Sequence, residues 1–170
     1  MIFELINFSS SLVQTQSVNE ILRCNDLTSN YGLLLTNEQA AELVETCSYS
    51  LKKVERIEFG GGVISKIIKE FCDSPYLSMH NYAETLHELI EMFYYYKNET
   101  LDLVSDDDLI KFMHKKFDGI CQGSLELLFC RELEKMARNV RSGYAYDYYE
   151  DDRLDEDGED EEGAYEDGEY

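Results

Sequence analysis

Residues 56–71, "RIEFGGGVISKIIKEF", set three consecutive glycines between a short alternating apolar run and a run with helical spacing. Read as strand, glycine turn and helix, the stretch would open an α/β nucleotide fold. Read as a turn before a helix, it belongs to an all-α bundle. The spacing separates the two. A phosphate-cradling loop of the GxxxxGK[ST] kind needs backbone amides around the phosphates, a lysine that reaches them and a hydroxyl for magnesium. Lys66 is present, but the glycine spacing is wrong and Ile67 stands where the hydroxyl belongs. Gly60 and Gly62 match the start of a dinucleotide fingerprint, yet Ser65 takes the place of its third glycine and no βαβ repeat surrounds it. What remains is a turn needing positive φ and close backbone approach. An anion held on the free amides at Gly60, Gly61 and Gly62 is the functional alternative.

Outward from the glycines, the chain is punctuated as helices. Ile64, Ile67, Ile68 and Phe71 form a narrow apolar stripe that Pro75 brings to an end. Upstream, Thr36 and Gln39 make a capping-box pair ahead of Ala40, Leu43, Val44, Cys47, Leu51 and Val54 at helical spacing. Val18, Ile21 and Leu22 predict a shorter helix that stops near Asn25 and Asp26. Downstream, Ser78 is the expected cap of a helix running to about Lys97. "SDDDLIKFMHKKFDG", residues 105–119, shows a serine cap, aspartates at the positive end of the dipole, lysines at the negative end and a terminal glycine. A last helix is expected from Ser124 to about Arg141, with Gly143 beyond its end. "LLL" before Thr36 and "IEF" before the glycines are too short for ordinary strands and can form at most a tiny β-ribbon. The expected fold is an all-α compact bundle of five or six amphipathic helices.

Charge divides the chain into a helical domain, 1–143, and a Tyr-rich acidic tail, 144–170. The whole has 36 acidic against 15 basic residues, and the tail sets 14 acids against Arg153 alone. Self-repulsion and the lack of aliphatic residues predict a disordered tail. The body keeps a net charge of −8, which disfavours an extended nucleic-acid groove. "MIFELINFSS" has no basic leader, and no run approaches the ~18 apolar residues of a membrane span, so a cytoplasmic protein is expected. Cys24, Cys47, Cys72, Cys121 and Cys130 lack CxxC pairing and read as small core residues.

"LTNEQAAELVE", "RIEFGGGVI", "HNYAETLHELIE" and "CQGSLELL" together resemble a small uncharacterised family of bacterial helical proteins over about residues 3–141. That resemblance implies helices and no established activity, so it assigns no role to any residue.

Several groupings invite chemistry. His80, Glu84, His87 and Glu91 offer metal-ligand types on one helix face, but bundle metals are bound by groups pointing inward, and this face is expected to be solvated. Cys121, just ahead of a helix N-terminus, could be an activated thiol; a buried, inert thiol is the competing reading. Arg131, Lys135 and Arg138 line one side of the last helix, where the acidic tail could screen them. "FYYYKN", residues 93–98, suggests an exposed aromatic patch with Tyr94 and Tyr95 as contacts. No cofactor is expected. The leading expectation is a protein-interaction or adaptor module with an acidic arm for a basic partner. The alternatives are an enzyme with a small pocket near Gly60–Gly62 and Cys121, and a nucleic-acid-linked regulator whose tail screens the basic helix face.

Overall fold

The computed structural model describes residues 2–58 and 62–144. Its elements are helical throughout: α1 (Ile2–Arg23), α2 (Asn25–Thr28), a 3-10 turn (Ser29–Tyr31), α3 (Asn37–Lys53), α4 (Gly62–Phe71), α5 (Tyr82–Glu99) and α6 (Asp106–Asp118). A final rod joins α7 (Leu125–Leu127), a π turn (Leu128–Leu133) and α8 (Glu134–Arg141). The all-α bundle is as expected. No helix among the described residues is long and apolar enough to cross a membrane. Gly60, Gly61 and residues 145–170 lie outside the described residues, and with them most of the glycine turn and of the acidic tail.

No strand occurs among the described residues, within the expectation of at most a tiny ribbon. Leu33 and Leu35 are buried in the irregular segment before α3, where side chains take the place of a partner strand. The Asn25 amide donates to the Leu35 carbonyl and accepts from its N–H, both at 2.9 Å, and Thr28 Oγ1 donates to the Leu33 carbonyl at 2.7 Å. With its polar groups satisfied this way, the segment needs no ladder.

The caps show which local signals decided the helices. The Thr36–Gln39 capping box is present in both directions, at 3.1 and 2.9 Å. Ser105 Oγ accepts from the Asp108 N–H, and Ser124 Oγ from the Leu127 N–H. Gly143 is left-handed at φ +75°, past the end of the rod. Gly119 follows α6 as its C-cap, as expected, and the left-handed residues come later, Gln122 and Gly123 at φ 47° and 80°. Two expectations are corrected. Helix α1 begins far earlier than its apolar stripe suggested. Helix α5 starts at Tyr82 with Asn81 as N-cap, because Asn81 Oδ1 accepts from the Ser78 N–H and draws Ser78 into the preceding turn.

Helix α5 is the centre of the bundle, touching α3, α4, α6, α7 and α8. Leu86, Leu89, Ile90 and Phe93 are wholly buried on it, each contributing about 1.5–3 kcal/mol of apolar burial. A helix surrounded on most sides has little surface to spare, which corrects the aromatic patch. Tyr94 and Tyr96 are 1% exposed, and only Tyr95 reaches solvent, at 45%. Lys97 is buried too, its ammonium donating to the Val104 carbonyl at 2.5 Å and pairing with Asp106 at 2.8 Å, which closes the α5–α6 turn.

Candidate functional site

Between α3, α5 and the π turn lies a half-open cleft of about 460 Å³. From α5 it is walled by Glu88, Glu91, Met92, Tyr95 and Asn98, residues that recur at helical spacing along one stripe, with Tyr94 beside them. The end of α3 supplies Ser50 and Lys53, and Val54 follows. Phe129 closes the far side. It is held there by the Tyr96 hydroxyl, which donates to the Phe129 carbonyl at 2.6 Å, and by ring contacts of 5.3 Å to both Tyr95 and Tyr96. The π turn is the local irregularity that presents this ring to α5.

Behind the aromatic wall runs a polar chain. The Tyr94 hydroxyl donates to Glu58 Oε2 at 2.8 Å, and the Cys47 thiol lies 3.4 Å from the Tyr94 hydroxyl oxygen, placed to donate to it. Burial pushes both groups' pKa values up, keeping phenol and thiol protonated as this chain requires. Tyr94 is therefore a fixed wall.

Ser50, like Arg56 Nη1, Tyr82 Oη and His114 Nε2, escapes this satisfaction. It is 4% exposed, yet its hydroxyl has no hydrogen-bond partner. Thr15, Ser17 and Ser48, also in helices, each donate to the carbonyl four residues back. A buried polar atom left without a partner costs roughly 1–3 kcal/mol and asks for a reason. The rim is also unsatisfied. Glu88 and Glu91 are exposed and form no ion pair among the described residues, and Lys53 stands over the Tyr49 ring, 5.2 Å from its centroid. One cation thus faces two free carboxylates.

The sequence-predicted sites fare differently. His80, Glu84, His87 and Glu91 do not form one site: His80 precedes α5, His87 turns inward to share a 2.6 Å hydrogen bond with Thr46 Oγ1, and Glu91 joins the cleft. The expectation that this face is solvated is thereby corrected at His87. No group of three or more His, Cys, Asp or Glu among the described residues is arranged to hold a metal ion. Gly62, the one glycine of the triplet that is described, is exposed as the first residue of α4. Cys121 is buried and its thiol pKa is raised, by burial first and by Glu132 in addition, so a neutral thiol sits there. Cys130 departs from the core reading of the cysteines, being exposed.

The basic stripe of the last helix is largely engaged within the chain. Arg131 pairs with the buried Glu132 at 2.7 Å and Arg138 with Glu134 at 2.9 Å, while Arg141 reaches Glu99 at 2.5 Å. Lys135 is also in contact with a partner. Sequence reasoning missed Ser50, Lys53, Glu88, Met92, Asn98 and Phe129. For the α5 members the signal was the i, i+3, i+4, i+7 spacing from Glu88 to Tyr95. Nothing local marks Ser50 or Phe129.

No curated protein and no solved structure matches the chain. A family model does match, starting within α1 and not at Phe3 as the resemblance had suggested. The chain belongs to this family of unknown function (DUF6323), whose match over residues 20–146 takes in every wall of the cleft.

Proposed function

We propose that this protein is a small cytoplasmic interaction module that takes a side chain of a protein partner into the cleft between α3, α5 and the π turn. The observation that supports the reading most directly is the half-open cleft itself, walled by Met92, Tyr95 and Phe129, with the exposed Glu88 and Glu91 at its rim and without ion-pair partners among the described residues. Apolar walls with a few polar groups to orient the occupant are what a recognition pocket needs. The family assigns no activity against which to weigh this reading.

Asn98 is exposed at the end of the cleft, so Asn98→Trp obstructs the opening without disturbing the core. Co-purification of partners should be compared between the wild type, Asn98→Trp and a variant at the exposed Lys111, on α6. A partner that is lost with Asn98→Trp and kept with the Lys111 variant supports the proposal. Retention of every partner by Asn98→Trp would end it.

A further inference from the structure

We infer that the cleft is an arginine pocket: its occupant is a guanidinium side chain from a basic segment of the partner. This deepens the binding reading above and rests on it.

The argument is one of chemical complement. Met92, Tyr95 and Phe129 offer an apolar and aromatic surface to a side-chain stem. The rim adds negative charge, since Glu88 and Glu91 are without ion-pair partners among the described residues and Glu58 lies just behind Tyr94. Lys53 opposes them, but its ammonium is drawn toward the Tyr49 ring. An anionic occupant would meet the two carboxylates unscreened. A neutral apolar one would leave both rim carboxylates without a partner. A cation with several N–H donors answers the rim, donating to Glu88 and Glu91 while its stem lies on the apolar wall.

Arginine fits better than lysine. Its guanidinium is flat and stacks on aromatic faces such as Tyr95 and Phe129, and it presents five donors in a fixed fork. It is also less strongly hydrated than an ammonium, so bringing it beside the Met92 side chain is less unfavourable. The volume of about 460 Å³ lies within the range of pockets that enclose a whole small ligand, which leaves space for a neighbouring residue of the partner. The body's net charge of −8 would draw a basic segment toward the site from a distance.

The test uses the full chain, isotope-labelled for NMR, with three blocked dipeptide amides at physiological salt: acetyl-Tyr-Arg, acetyl-Tyr-citrulline and acetyl-Tyr-Glu. Citrulline keeps the shape of arginine and removes its charge. The arginine peptide should perturb the Ser50 amide and the Met92 methyl saturably, at least tenfold more tightly than citrulline, with no such effect from the glutamate peptide. Glu88→Gln combined with Glu91→Gln should bring arginine and citrulline within about twofold, leaving the backbone spectrum otherwise unchanged. Equal binding of arginine and citrulline peptides in the cleft overturns the cation inference while leaving the binding reading in place. Perturbation confined to residues 145–170 overturns it as well, because it would report only attraction to the acidic tail. If no peptide reaches the cleft but Asn98→Trp still abolishes partner capture, the arginine assignment alone falls; if that capture also survives, both fall.

Discussion

Two helix seams in this protein are built alike and finished differently. Between α4 and α6, Phe117 packs edge to face with Tyr76 and tilted against Phe71, and His114 sits against Phe71 with Glu70, Asp73 and Asp118 around its ring at 3.2, 3.4 and 3.0 Å. Ser74 completes that seam by donating to Asp118 at 2.5 Å. Between α3 and α5, the seam also has a histidine, His87, bonded across to Thr46. There the closure stops, and further along Ser50, Glu88 and Glu91 are left without partners beside an open volume. One seam spends most of its polar groups on holding helices together, although His114 Nε2 makes no hydrogen bond with the carboxylates beside it. The other leaves two exposed carboxylates beside an open cleft, which is what a surface that completes itself on something else would show.

The comparison can be broken most sharply at Gly123. Its φ is +80°, and a Cβ there would lie 2.6 Å from Cγ of the Tyr76 ring, at the inner end of that side chain where it cannot swing aside. Gly123→Ala should therefore destabilise the closed seam by about 3 kcal/mol, combining left-handed strain with overpacking. Urea unfolding measures this, and a loss under 1 kcal/mol would mean the seam is not tightly closed.

A pair of serine truncations sharpens the contrast. Ser74→Ala removes a hydrogen bond to a carboxylate and should cost about 2 kcal/mol. Ser50→Ala removes a hydroxyl that has no partner and should stabilise the fold by about 0.5–1 kcal/mol. Opposite signs in thermal denaturation support the distinction between the seams. Equal losses would erase it.

The smallest effect belongs to the clamp where Arg56 pairs with Asp102 across the α3–α4 and α5–α6 connections. The hydrogen bond from Arg56 holds the Asp102 carboxyl below its ordinary 3.8. A depressed carboxyl pKa contributes stability above 3.8 and loses it as pH falls through the folded value. Asp102 is 54% exposed, so solvent screening limits the contribution to about 0.5 kcal/mol. Asp102→Asn should thus lower stability slightly at pH 7, and the gap should shrink progressively as the pH is taken below 3.8. A gap that does not narrow on acidification would show that the pair is not its source. Asparagine is the appropriate replacement because residue 102 is left-handed, at φ 59°, which asparagine tolerates.

Much of the architecture was legible because helix signals are local. The Thr36–Gln39 box, Ser105 and Ser124 each act within one turn, so residues three apart report them without knowledge of the fold. Where two local signals competed, a contact of equally short range chose: Asn81 outdid Ser78 as N-cap by accepting from its N–H. The segment before α3 was harder to read, as Asn25 supplied from ten residues away what a partner strand would have supplied. The aromatic patch at residues 93–98 misled because an aromatic run reads alike on a surface and at the centre of a bundle; only α5's neighbours distinguish the two.

The candidate site was scarcely visible. Glu91 and Tyr95 were singled out, each for a different reason, and their shared wall was not.

By itself, the sequence determined that this chain forms a helical body with an acidic extension, since caps, apolar stripes and charge runs are properties of neighbours along the backbone. Only the tertiary structure decided that Ser50 would be buried without a partner and that Phe129 would close a cleft over Met92 and Tyr95. Burial and pairing depend on what another helix brings within a few ångströms, and no spacing along a single helix encodes that.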